Sequence, residues 1–324
     1  MVLARGPCSG AIDVPIFRLI KFWRSIPGAI VLVVLFGVLA SFGVAAAQVF
    51  RVTHPVRQAE MALNLGATLA KAEDVTFRST DGLRLKGWLF HGNAKSAPIV
   101  LCHDLGESRN AVMNIAIALN QAGFTVLAFD FRGHGTSGGD SSTLGVNEAR
   151  DILGAVDFVA DLPKEDLDAR KIGIFGAGMG AHAAVLAAAE RPALRVLVLD
   201  GLWPDAGFTL VHHQFADWRW GERHLGAVPV ALFPFIAGAS INAGRAEDIL
   251  PSLAGRDLLL VAPAGDRRLD EAMKAMYATL PEQRDSERNL ITLPATRASG
   301  LGADDLARYH ERVVKFFLSR LVRP

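Results

Sequence analysis

From Gly28 to Ala47 the chain runs for twenty residues without a charge, dominated by Val, Leu, Ile, Ala and Phe. At helical rise such a run covers about 30 Å, the thickness of bilayer hydrocarbon. A core helix of a globular domain would carry a polar stripe, and this segment is apolar all round. The sequence therefore predicts a transmembrane anchor over 26–48, between a short N-terminus, 1–25, and a stalk, 49–73. Arg18, Lys21 and Arg24 precede the run with Trp23 at its entrance, and only Arg51 and Arg57 follow closely. That asymmetry predicts a single-pass protein of the cell membrane with a cytoplasmic N-terminus and an extracytoplasmic main domain. Ala45, Ala46 and Ala47 are similar to a signal-peptidase site, but the apolar run exceeds a signal peptide's hydrophobic region, so retention is expected.

Thirty-four Lys and Arg stand against thirty-three Asp and Glu, a formal charge of +1. No basic footprint argues for nucleic acid, and the one partner the composition implies is the bilayer. Cys8 and Cys102 lie on opposite sides of the anchor, so no disulfide between them is expected. Neither stands in a metal-ligand spacing, and no cofactor or metal is expected.

Past the stalk, residues 74–324 read as one domain. Val75–Arg78 and Leu83–Phe90 alternate around Asp81-Gly82, as two strands joined by a tight turn do. Pro98–Cys102 and Thr125–Phe129 are short apolar runs separated by a helical stretch, Ala111–Ala122, the pattern of a parallel sheet buried on both faces. The alternation continues with a helix near Val146–Leu162, strand Lys171–Phe175, helix Ala181–Ala189, strand Val196–Leu199, strand Asp257–Val261 and a final helix, Ala303–Leu321. This order predicts an α/β fold, an open and mostly parallel sheet with helices on both faces. The interruption at about 201–251 carries Trp203, Phe208, Phe215, Trp218, Trp220, Phe233 and Phe235. It reads as a cap over the sheet's carboxyl edge, its aromatics expected mainly as the cap's own core rather than a ligand or membrane surface.

The stretches Asp81-Gly82-Leu83 with Gly87-Trp88, His103-Asp104-Leu105-Gly106-Glu107-Ser108-Arg109, Asp130-Phe131-Arg132-Gly133-His134-Gly135-Thr136-Ser137, and Gly145 with Glu148 and Asp151 occur in that order. Together they resemble the α/β-hydrolase superfamily, in its membrane-anchored, serine-aminopeptidase-like branch. The resemblance covers about Asp74 to the C-terminus and implies that fold, with a nucleophile in a tight strand-to-helix turn of the G-x-S-x-G type. Here Ile172-Gly173-Ile174-Phe175 leads into Gly176-Ala177-Gly178-Met179-Gly180, so the nucleophile position is Gly178, which has no side chain to attack a carbonyl. The resemblance places the triad acid at Asp266, with Asp200 as a second possibility. It places the base histidine near Ala298, within Leu293–Ser299; His310, the only histidine in that part of the chain, belongs to the final helix.

Among the other candidates, Cys102 reads as a small buried hydrophobe and His134 as a loop-ordering hydrogen-bond donor. His212 and His213, adjacent in the cap, cannot both face one metal from a regular helix. His103 and Asp104 lie in the loop that supplies an oxyanion N–H in the related family, and with Met179 N–H they are candidates for binding an anion or carbonyl oxygen. The vacated positions imply a pseudoenzyme that binds a small apolar molecule, a lipid or a protein. The alternative is a hydrolase of ester or amide bonds with an unconventional site, in which Asp266 or Asp200 acts as base on a bound water.

Overall fold

A computed structural model describes residues 26–57, 72–93, 96–162, 171–215, 226–240, 244–253, 255–280 and 289–322. Trp218, Trp220, Cys8 and the cations Arg18, Lys21 and Arg24 lie outside them, as does most of the stalk. The chain divides into two compact units, Met1–Ala47 and Gln48–Pro324. Helix α1, Ile26–Thr53, carries exposed Ile30, Val33, Phe36, Leu39 and Phe42 along its length and is long and apolar enough to cross a membrane. Its last residues, from Gln48, begin the second unit.

In the second unit a hairpin, β1 (Glu73–Arg78) and β2 (Arg84–Phe90), forms one edge of the sheet. The following elements are β3 (Pro98–Cys102), α2 (Met113–Gln121), β4 (Thr125–Asp130), α3 (Glu148–Ala160), β5 (Gly173–Ala177), α4 (Met179–Glu190) and β6 (Val196–Asp200). After the cap helices α5 (Ala206–Phe215) and α6 (Ala227–Ala237) come β7 (Asp257–Pro263), α7 (Arg267–Ala278), β8 (Asn289–Leu293) and α8 (Ala303–Leu321). Among the described residues the strands form one sheet in the order β1-β2-β4-β3-β5-β6-β7-β8, parallel from β4 to β8. β3, β4 and β6 are buried at every position, as continuous Val, Leu and Ile runs covered on both faces must be.

Two elements go beyond the sequence expectation, α7 and β8. Residues 267–278 alternate charge with Leu269, Met273 and Met276, whose i, i+4, i+7 spacing buries one stripe. β8 is a five-residue edge strand, too short for its pattern to stand out. Strand β5 also extends two residues further than expected, to Ala177, so the turn begins at Gly178 itself.

The polar residues of the shared motifs brace loops at the ends of the first strands. Arg132 bonds Asp151 and Asp81, Arg109 bonds Asp130, and Glu148 accepts from Ser142, Thr143 and Gly145. Arg57 donates to the carbonyls of Gly135, Ser137 and Gly139, and Ser142 N–H donates to Thr53 O at 2.6 Å. The end of α1 is thus tied to the loop after β4. Cys102 is a free thiol, fully buried, as expected of a small hydrophobe.

Candidate functional site

Parallel strands of unequal connection leave a crevice at their carboxyl ends, where loops converge. The registers Cys102↔Gly176 and Ala177↔Asp200 bring the ends of β3, β5 and β6 side by side. A cavity of about 380 Å³ opens there. Polar groups on its wall include Asp104, Asp200, His212, Asp266, Arg297 and Ser299, and Ile115, Phe175, Trp203, Leu269 and Leu306 are among its apolar ones.

Gly178 has φ +52° and ψ −112°, a backbone state that side-chain-bearing residues rarely adopt. The turn packs tightly: a Cβ on Gly176 would lie 2.5 Å from Gly180 O, and one on Gly180 would lie 2.5 Å from Cys102 O. At Gly178 the obstacle is different. A Cβ there would lie 1.9 Å from Asp104 Oδ1 and 2.2 Å from its Cγ, so the carboxyl of Asp104 fills the space a nucleophile's side chain would take.

Asp104 Oδ1 accepts from Met179 N–H at 2.9 Å and from Leu105 N–H at 2.7 Å. One donor follows the turn and the other lies in the loop after β3, the two directions from which this kind of site cradles a carbonyl oxygen. The carboxylate also sits at the first turn of α4, where the helix dipole favours negative charge. Oδ2 is 3.3 Å from Arg297 Nη2, and Arg297 Nη1 bonds Glu107 at 3.1 Å. Burial raises the Asp104 pKa above the ordinary carboxylate value, against the pull of Arg297 and the two N–H donors.

Both candidate acids reach the cavity, each with a partner. Asp266 caps α7 through Leu269 N–H, and its Oδ2 is 2.8 Å from His212 Nε2 on cap helix α5. Asp200 Oδ2 accepts from Tyr309 Oη at 2.7 Å. Burial pushes Asp200 up to about 7; the Tyr309 hydroxyl opposes this and the charges of Asp104 and Glu107 add to it. Ala298 opens a short 3-10 turn on the cavity wall beside Arg297, and His310 also lines the cavity.

One expectation is corrected. His103 is wholly buried and does not line the cavity: Nδ1 bonds Asp104 O at 2.7 Å and Nε2 accepts from Phe131 N–H at 3.1 Å. Burial lowers its pKa to about 3, so it is a neutral brace for the loop rather than a binding group. The loop's donor is instead Leu105 N–H, and Asp104 is the occupant of the pair of donors, not one of them. Arg297, Tyr309 and the pairing role of His212 were not foreseen. Among the described residues no cluster of His, Cys, Asp and Glu suits a metal ion.

Residues 54–212 match the family described as serine aminopeptidase, S33. An uncharacterized protein of Mycobacterium tuberculosis is 30% identical over 200 residues, 60% of this chain and 69% of that protein. The chain belongs to the α/β-hydrolase superfamily. This α/β hydrolase also matches a polyketide transferase of Aspergillus fumigatus, 33% identical over 119 residues, 36% of this chain and 40% of that one. An esterase of Pyrococcus furiosus has the same fold, with a TM-score of 0.64 at 22% identity over 83% of this chain and 99% of its own. The sequence-based expectation of an α/β-hydrolase fold, reached from the motifs between Asp81 and Asp151, is borne out.

Proposed function

We propose that this α/β hydrolase has lost serine chemistry and uses its pocket to bind a small molecule with an apolar body, as a pseudoenzyme held at the cell membrane by α1. The observation that carries the reading is the Asp104 carboxyl, whose Oδ1 stands 1.9 Å from where a Cβ of residue 178 would be. A side chain at 178 would require that carboxyl to move, and the two N–H donors that would hold a substrate's carbonyl oxygen are already bonded to it. At the place expected for the base stands Ala298, with Arg297 directed at Asp104. Cavities of this size, mostly apolar with a few converging polar groups, suit ligands of a few hundred daltons.

The test is a thermal-shift titration of the full-length, detergent-solubilised protein with medium-chain carboxylic esters and amides, followed by product analysis. Stabilisation without product supports binding; steady product formation contradicts it.

A second reading, hydrolysis of an ester or amide by bound water, is favoured by one contact. His212 Nε2 lies 2.8 Å from Asp266 Oδ2, and both face the cavity. A histidine oriented by a carboxylate is what general-base catalysis requires, here with the histidine on the cap. Under this reading turnover disappears in His212→Ala and in Asp266→Asn.

A further inference from the structure

Cap helix α6, Ala227–Ala237, contains no polar or charged side chain: its sequence is Ala-Val-Pro-Val-Ala-Leu-Phe-Pro-Phe-Ile-Ala. One face is used within the fold. Pro229 and Phe233 are buried, and Phe233 joins Val49, Leu144, Ala206 and Leu210 in a small core against which Val52, Leu232 and Ile236 also pack. The opposite face presents Ala227, Ala231, Pro234 and Phe235, at i, i+4, i+7 and i+8, all exposed, with Phe235 at 86%. A surface helix in water keeps this outer stripe polar. Here the outer stripe is as apolar as the buried one.

The helix shares its small core with the end of α1. Val49, a member of the same small core, lies two residues after Ala47, where the uncharged run of α1 ends. If Gly28–Ala47 fills the hydrocarbon, residues 48–53 stand at the boundary between acyl chains and headgroups, within about 10 Å of it, the depth at which apolar helices lie in a membrane surface. Phe50 and Val56, from the same stretch of chain, are also exposed, at 56% and 89%.

We propose that α6 is a second membrane contact, an interfacial helix that places Phe235 and its exposed stripe in the leaflet that receives the end of α1. This rests on the reading of α1 as a bilayer span. Because α6 packs on α5, whose His212 lines the cavity, the roof of the binding site then lies at the lipid surface. Its ligand is an amphiphile that enters from the membrane.

The test uses the full chain with Cys8→Ser and Phe235→Cys, labelled with bimane at position 235 and reconstituted in phosphatidylcholine vesicles with or without brominated acyl chains. A label at Glu311→Cys, on the exposed face of α8, is the control. The expected result is a blue-shifted label at 235, quenched by brominated lipid at least threefold more than the control. Alkaline carbonate extraction of the same vesicles separates the two readings. Protein retained in the membrane with position 235 unquenched overturns the assignment of α6 alone. Protein released by carbonate overturns the anchor and this proposal with it. A label shielded only at high protein-to-lipid ratio, without bromine quenching, gives the stripe to a second copy of the chain and also overturns the proposal.

Discussion

Asp104 Oδ1 and a Cβ on Gly178 would stand 1.9 Å apart, so the two positions compete for one volume at the strand-to-helix turn. A side chain at 178 therefore displaces the Asp104 carboxyl from its place on the turn. The glycine at 178 and the aspartate at 104 are therefore a coupled pair, joined across the turn and the loop after β3.

Gly178→Ser is expected to destabilise the protein by roughly 2–4 kcal/mol, from the overlap with Asp104 and the positive φ together. Combining it with Asp104→Gly is expected to recover about 1–2 kcal/mol of that loss, as coupled neighbours do. A double-mutant cycle of denaturant unfolding midpoints measures this. Strict additivity would mean that the two residues do not share the space.

Asp200 carries a pH signature. Its folded pKa is raised to about 7 by burial, above that of an unfolded aspartate near 4. The folded state therefore holds the proton more tightly between these values. The stabilisation from Asp200 is complete below about pH 4 and is lost as pH rises through about 7. Asp200→Asn keeps an acceptor for Tyr309 and removes the titration. Its melting temperature should fall less than that of the parent between pH 5 and pH 8. An unchanged slope would place the titrating group elsewhere.

The motifs legible in the sequence were those that build the frame. Alternating apolar runs set the parallel strands, and Gly176, Gly178 and Gly180 marked the turn because a side chain at any of them meets backbone or carboxylate. What the sequence hid were pairings across distant loops. His212 lies on a cap helix more than fifty residues before Asp266, and nothing in local spacing joins them. Arg297 sits next to Ala298, yet its guanidinium reaches back to the loop after β3. His103 looked like a pocket residue because Asp104 beside it is one; its ring turns into the core to brace Phe131. The acidic occupant of the carbonyl site could not be inferred from residue order, since only the fold brings Asp104 onto Met179.

Arg297→Ala removes the ion pairs to Asp104 and Glu107. The Arg297 side chain is about half exposed, so the cost should be modest, about 0.5–1 kcal/mol. Arg297 pulls both carboxyl pKa values down, and without it both rise further above the ordinary value. The pair stabilises only while the carboxylates are ionised, so the deficit should be present at pH 8 and fade as pH falls. Equal deficits at pH 8 and pH 4 would show that Arg297 acts by packing alone.

Asp266→Asn tests the cap contact. It keeps an acceptor for Leu269 N–H at the start of α7 but removes the charge facing His212. The expected outcome is a small loss of stability with faster amide exchange in α5, measured by hydrogen-exchange mass spectrometry. Unchanged exchange in α5 would mean that the pair does not hold the cap.

The most direct measurement is labelling of the full-length protein with a fluorophosphonate probe, run beside short-chain ester hydrolysis and a known serine hydrolase as positive control. No covalent adduct and no turnover above buffer are expected, because the Asp104 carboxyl stands where a side chain at 178 would be. An adduct on any serine of the cavity wall, with ester turnover that the probe abolishes, would contradict it.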